Sequence, residues 1–112
     1  MATISFNPQH KEILDTLLLL IPGVRAGKMF GYPAWFVGRK LFACVYEEGV
    51  GIKVPEELAK ELLSRPDVIP FRPMGKPKMR NWVQINHGKS EEYRDDAEVF
   101  HAAVRFVAEM GE

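Results

Sequence analysis

The sequence predicts an α+β fold, a two-layer α/β sandwich in which helices cover one face of a five-stranded, mainly antiparallel sheet. Apolar residues recur at helical spacing near both ends of the chain, and a glycine-punctuated stretch of aromatic and β-branched residues lies between them. The connections are short enough to join antiparallel neighbours. We therefore predict the order α-β(3)-α-β(2)-α in one domain spanning residues 1–112.

The first predicted helix begins near the start of the chain, where Asn7 offers a cap and Pro8 suits the first helical position. Pro22 and the glycine after it end the helix. Leu19 and Leu20 widen its apolar stripe, so we expect this helix to be well buried. The stripe itself consists of Ile13, Leu14, Leu17, Leu18 and Ile21.

Three strands are predicted next, at residues 28–37, 40–46 and 50–54, because these runs are rich in aromatic and β-branched residues and are separated by glycine turns. Pro33 falls inside the first run and has no N–H to donate to a neighbouring strand. We therefore expect that strand to lie at an edge, to carry a bulge or to break at Pro33.

The second half of the chain predicts two more helices and two more strands. Pro55 opens a helix whose first turn is acidic, which places carboxylates at the positive end of the helix dipole. Residues 68–72 and 81–85 are the predicted strands, and a proline-rich loop joins them. Ser90 is predicted to cap the last helix, which carries an apolar stripe of its own.

The charge balance and the cysteine count exclude several classes of protein. Fifteen basic residues balance fifteen acidic ones, so no overall field draws the protein onto nucleic acid or an anionic membrane. Cys44 is the one cysteine, which excludes an internal disulfide and a multi-cysteine zinc site. Because the first residues lack a signal-peptide pattern and no apolar run is long enough to cross a bilayer, we expect a cytoplasmic protein with no membrane partner.

The sequence offers no recognisable catalytic or metal centre. His10, His87 and His101 lie far apart, without a second ligand at the spacing that converges on a metal ion, although His87 beside a glycine is the better functional candidate of the three. Cys44 sits among apolar residues with no nearby base, which is typical of a buried structural cysteine. Phosphate-loop, dinucleotide-binding and nucleophile-elbow motifs are absent. We expect a protein that is not an enzyme and has no cofactor.

The most unusual segment is the loop between the last two predicted strands, which carries several cations and no acid next to Trp82. Cations beside aromatic residues suit contacts with a nucleic-acid backbone and with stacked bases. A short exposed loop also carries such residues for solubility alone, and that alternative stays open. The cations are Arg72, Lys76, Lys78 and Arg80, and Tyr32 and Trp35 join them if the first strand lies nearby.

Several stretches of the chain resemble the N-terminal-domain family of the competence regulator TfoX, also called Sxy. They are KMFGYPAWFVGRKLFA at residues 28–43, GIKV at residues 51–54, and FRPMGKPKM at residues 71–79 followed by Trp82. The chain departs from that family at Tyr32, where a second glycine is usual. The resemblance implies the same order of helices and strands as the residue patterns. The YjbR-like family, which shares the architecture and is described in DNA-binding terms, is the alternative.

The resemblance and the basic loop together imply a non-catalytic binding or regulatory module that contacts an unknown protein partner or nucleic acid. The alternative is a small-molecule or anion-binding protein with a pocket near Trp35, Lys53 and Trp82. A homodimer formed through an edge strand or an apolar helix face is a further hypothesis. The candidate binding residues are Lys28, Lys53, Arg72, Lys76, Lys78, Arg80, Trp35 and Trp82.

Overall fold

The computed structural model describes residues 5–75, 77 and 79–110 of the chain. The described part holds three α-helices and one six-stranded sheet, which confirms the predicted α+β class. The helices are α1 (Pro8–Leu18), α2 (Glu56–Leu62) and α3 (Ala97–Met110). The strands are β1 (Val24–Met29), β2 (Tyr32–Val37), β3 (Lys40–Tyr46), β4 (Gly49–Lys53), β5 (Val68–Pro70) and β6 (Trp82–Ile85).

The prediction of five strands is wrong because the run at residues 28–37 contains a turn, and a sixth strand, β1, begins before it at Val24. The chain reverses at Phe30 and Gly31, whose φ angles are 50° and 89°. A turn with positive φ at both residues suits the right-handed twist of paired strands. Phenylalanine rarely adopts positive φ, so the residues at this position do not predict the turn. Pro33 does not break β2, whose pairing with β3 begins one residue later at Ala34.

All strand pairs in the sheet are antiparallel, in the order β1-β2-β3-β4-β6-β5. A bulge interrupts the β2–β3 register between Trp35 and Phe36. The extra residue on β3 is Phe42, and as a result Phe42 and Ala43 both join the cluster beneath the helices although they are consecutive. Cys44 follows on the opposite face, as the alternation of side chains along the strand predicts.

The helix α1 begins as predicted, since the Asn7 side chain accepts a hydrogen bond from the Gln9 backbone N–H at 2.9 Å. It ends at Leu18, before the apolar run does. Leu19 and Leu20 are therefore 46% and 81% exposed, and the prediction that they widen the apolar stripe of a buried helix is wrong. Once the chain leaves helical geometry, these two side chains no longer follow the stripe that faces the core.

The segment before α3 also departs from the predicted helix. Ser90–Asp96 forms a 3-10 segment, and α3 starts only at Ala97. Lys89 occupies the capping position without a side-chain hydrogen bond, so Ser90 is not the cap. No helix in the described residues is long and apolar enough to span a membrane.

Two apolar clusters lie on opposite faces of the sheet. The helical face is the side covered by α1, α2 and α3, and its buried strand residues include Trp35, Ile52 and Val83. The helix-free face is the other side, and its buried residues are Tyr32, Ala34, Cys44, Tyr46 and Phe71. The loop after β5 supplies Phe71 and Met79 to the helix-free face, and there it takes the place of a second helical layer.

Candidate functional site

The two faces of the sheet separate residues that were predicted to share one binding site. Trp35 is 1% exposed in the core of the helical face, where its Nε1–H donates a hydrogen bond to Asp15 Oδ1 at 3.0 Å. Alternation along β1 places the exposed Lys28 on that same side of the sheet. Trp82 belongs to the helix-free face, with Lys53 opposite it on the neighbouring strand. The structure therefore does not bring Trp35 or Lys28 together with Lys53 and Trp82.

A row of aromatic rings crosses the helix-free face from β2 to β6. The ring centroids of Tyr32 and Tyr46 lie 4.8 Å apart, and those of Tyr46 and Phe71 lie 5.6 Å apart. Phe71 and Trp82 continue the row at 5.3 Å. These separations are favourable for aromatic pairs. The first three rings are buried and Trp82 is partly exposed, so the row ends in a ring that a ligand can reach.

Gly51 on β4 has no side chain, which leaves room for the Phe71 ring in this row. A Cβ placed on Gly51 would lie 2.8 Å from ring carbons of Phe71, so the ring rests directly on the strand backbone. The loop beyond Phe71 stays close to the sheet, because Pro73 is buried and Met79 packs against the same cluster. The glycine therefore allows Phe71, which precedes the predicted basic loop, to lie directly on β4.

One cation pairs with the partly exposed end of the aromatic row, and others lie nearby in sequence or on the same face. Lys53 pairs with Trp82 across the β4–β6 ladder, and its side chain therefore projects from the same face as the indole. Arg72 and Arg80 are exposed, one directly after Phe71 and the other in the turn before β6. Further along the same face, the Arg25 guanidinium carbon lies 4.8 Å from the centre of the Phe36 ring.

The remaining predicted cations of the loop, Lys76 and Lys78, lie outside the described residues. They fall in sequence between Arg72 and Arg80, whose positions are described. The described part of the face thus combines an aromatic surface with guanidinium and ammonium groups at its rim. Such a surface offers positive charge to phosphate oxygens and a flat ring to a planar group.

The described residues offer neither a reactive thiol nor a metal-binding group at this face. Burial raises the pKa of the Cys44 thiol to about 12, so it remains a thiol rather than a reactive thiolate at neutral pH. Within residues 5–75, 77 and 79–110, no group of three His, Cys, Asp or Glu side chains is placed to hold a metal ion.

A polar cluster at one end of the sheet is the main feature that sequence patterns missed. Arg65 donates hydrogen bonds to Asp67 at 2.7 Å and to Asp96 at 2.8 Å. His87 Nε2–H donates to the other oxygen of Asp96 at 2.7 Å, and its Nδ1 lies 3.4 Å from Asp67. Hydrogen bonding and charge from the guanidinium lower the pKa of Asp67. The cluster ties the end of β6 to the segments before β5 and α3.

Beside that cluster, Tyr93 is fully buried between two histidine rings. Its ring meets those of His10 and His87 edge-on, at centroid distances of 4.8 Å and 4.6 Å. Its hydroxyl donates to the Ile85 carbonyl at 2.8 Å and accepts from the His87 backbone N–H. Burial raises the pKa of Tyr93, so this hydroxyl keeps its proton. The two histidines lie 77 positions apart in the sequence, so no local sequence pattern predicts that they contact the same tyrosine.

His10 is 1% exposed, with a partner at each ring nitrogen. Nε2–H donates to the Glu48 carbonyl at 3.2 Å, and Nδ1 lies 2.6 Å from the Ser90 hydroxyl, which donates to it. Burial is the main cause that lowers the pKa of His10. The hydroxyl expected to cap the last helix thus satisfies a buried imidazole instead.

The YjbR family model matches residues 19–104 of this chain. The matched range begins at the end of α1 and runs into α3, and it therefore includes the whole sheet. The family that matches is the alternative of the two named from the sequence, and the TfoX-like resemblance remains a prediction. No curated protein and no solved structure matches the chain.

Proposed function

The chain belongs to the YjbR family, and from that premise we propose that it is a non-enzymatic module that binds phosphate-bearing ligands on its helix-free face. The observation that carries the proposal is the placement of Lys53 and Trp82 side by side on one face, with the ends of the basic loop next to them. A cation and an exposed ring in adjacent positions bind a phosphate group and a planar group at once.

The charge distribution supports an anionic ligand. The protein has no net charge, so any attraction for an anion must come from a local patch. Arg72 and Arg80 are exposed at the two ends of a loop that carries two further lysines in its sequence and no acid. The patch therefore concentrates positive charge where the aromatic row reaches the surface.

A nucleic-acid strand is the second candidate ligand, because the exposed end of the row is a stacking surface. Trp82 lies at 34° to Phe71, which supports the indole from beneath and leaves it partly exposed. Stacking of one base on such a ring contributes about 1–3 kcal/mol. The TfoX-like resemblance implies a regulatory role, and such a role requires a macromolecular partner such as a nucleic-acid strand. The proposal includes the regulatory role only as far as this partner binds.

The deciding experiment is a fluorescence-anisotropy titration of the full chain with labelled single-stranded and double-stranded oligonucleotides, with inorganic phosphate and mononucleotides as competitors. We expect saturable binding that weakens with salt, because phosphate contacts release counterions. Replacing Arg80 by Gln should lower the salt slope by about one, and Trp82→Ala should weaken binding of single strands most.

Lys28→Gln is the matched control, since it removes an exposed cation from the other side of the sheet. An equal loss of affinity in Lys28→Gln and Arg80→Gln would assign the binding to unspecific charge. If inorganic phosphate alone or a mononucleotide alone displaces the labelled oligonucleotide, the ligand of this face is a small anion rather than a nucleic-acid strand. No binding of any of these probes would contradict the proposed function.

A further inference from the structure

A buried histidine lies where α1 meets the β3–β4 hairpin and the 3-10 segment before α3. Residues Ser5 to Asn7 run beside the β3–β4 hairpin, where Glu47 N–H donates to the Ser5 carbonyl at 2.9 Å and Asn7 N–H donates to the Glu47 carbonyl at 3.1 Å. Three residues further on, His10 binds the carbonyl of Glu48 in the same hairpin. The hairpin turn is thus held by the start of the chain on one side and by the imidazole on the other.

Phe6 connects this segment to both sides of the sheet. Its ring packs against the buried cluster of the helical face and also against that of the helix-free face. It pairs with Glu47 in a parallel bridge, one residue beyond Tyr46 of the aromatic row. The segment thus adjoins the aromatic row next to Tyr46, whose ring contacts that of Phe71.

We propose that protonation of His10 loosens the segment from Ser5 to His10 and so weakens ligand binding on the helix-free face as the pH falls. The inference rests on the proposed function for its effect on the ligand, but not for the loosening itself. His10 lies on α1 and is almost completely buried against the hairpin and the 3-10 segment. A charge placed there loses its hydration, while opening of the segment restores it.

The groups that face His10 do not compensate for this charge. The hairpin presents the Glu48 carbonyl and, at longer range, its carboxylate, while the 3-10 segment presents the hydroxyl of Ser90 and the ring of Tyr93. The end of β6 presents His87, whose backbone favours a protonated His10 and whose ring opposes it, and burial outweighs these contributions. No carboxylate bonds to the imidazole among the described contacts, in contrast to His87 with Asp96.

The direction of the effect follows from the pKa of His10, which burial lowers from 6.5 in the native state. As the pH falls, the opened segment takes up a proton at His10 before the closed one does. The closed form is therefore fully favoured above about pH 6.5 and loses stability as the pH falls towards the folded pKa. The population of the opened segment therefore rises as the pH falls from about pH 7 to about pH 5.

Hydrogen–deuterium exchange of the full chain at these two pH values tests the loosening, after correction for intrinsic exchange rates. We expect the Asn7 and Glu47 amides to exchange faster at the lower pH, with little change at amides of β6. His10→Gln should remove the increase, because the neutral amide still donates to Glu48 and accepts from Ser90. An increase that persists in His10→Gln would overturn the proposal, and so would a pH-independent exchange rate in the unmodified chain.

Binding of labelled oligothymidylate, whose phosphodiesters do not titrate in this range, provides the second measurement. The unmodified chain should bind more weakly at about pH 5 than at about pH 7, and His10→Gln should bind equally at both. His101→Gln is the control, since it removes an exposed histidine from α3. If oligothymidylate binds at neither pH, the proposed function fails while the exchange data still decide the loosening. Loosening without a change in affinity would overturn the coupling to the face.

Discussion

The two faces of the sheet are both apolar, yet they are built differently. On the helical face, residues from three helices cover the strands, and the side chains of Phe100, Trp35 and Ile52 are almost completely buried. The helix-free face has no helix over it, and Phe6 and the loop after β5 pack against its cluster instead. That cluster ends in side chains that are only partly buried, such as Trp82 and Met79. The helical face therefore holds most of the buried core, whereas the helix-free face leaves part of its cluster accessible.

The largest change in stability is expected from a substitution that leaves a cavity in the helical face. Phe100→Ala removes a ring that is 1% exposed beneath α3, and we expect the free energy of unfolding to fall by about 3–5 kcal/mol. Urea denaturation measures the change. Leu20→Ala is the control, because that side chain is 81% exposed and should change stability by no more than about 0.5 kcal/mol. A loss under about 1 kcal/mol for Phe100→Ala would mean that the helical layer contributes little.

A smaller effect is expected from crowding the helix-free face. The added methyl group of Gly51→Ala would lie 2.8 Å from the Phe71 ring, so the ring and its loop must move. We expect a loss of about 1–3 kcal/mol and altered Trp82 emission, measured in a Trp35→Phe background so that one indole reports. Gly88→Ala is the matched control, since nothing lies within 4 Å of its added methyl group. Unchanged stability and emission in Gly51→Ala would show that the loop does not rest on β4.

Substitution of the two tryptophans compares the contributions of the two faces to stability and to ligand binding. Trp35→Phe removes the hydrogen bond to Asp15 on the helical face, and we expect a loss of about 1 kcal/mol in urea denaturation with no change in ligand affinity. Trp82→Phe should have the opposite pattern, with little loss of stability and weaker ligand binding. The comparison fails if Trp35→Phe lowers affinity as much as Trp82→Phe does.

The smallest effect concerns the charges at the end of the sheet. Arg65 keeps the pKa of Asp67 below its ordinary value of 3.8, so this carboxylate contributes stability above about pH 4 that is lost as the pH falls through the folded pKa. Asp67→Asn should flatten that part of the stability curve in thermal unfolding between about pH 5 and about pH 3. Glu91→Gln, at a largely exposed pair with Arg94, should leave the curve unchanged. An identical slope in Asp67→Asn would assign acid sensitivity to other groups.

Much of the fold follows from local patterns in the sequence. The cap at Asn7, the strand at residues 40–46 and the proline that opens α2 are all found where the sequence predicts them, because caps, alternation and fixed proline φ act within a few residues. The turn at Phe30 was missed, since positive φ at a bulky residue is imposed by the pairing of β1 with β2.

The sequence by itself determined the α+β class, most element positions and the basic character of the loop, because these depend on periodicity and composition. Tertiary structure alone decided that Trp35 and Trp82 face opposite ways, that Phe71 lies on Gly51, and that His10 is buried beside Ser90. The physical reason is that side-chain faces depend on strand register and on a bulge that shifts it by one residue. Contacts between distant segments form only when the whole chain folds.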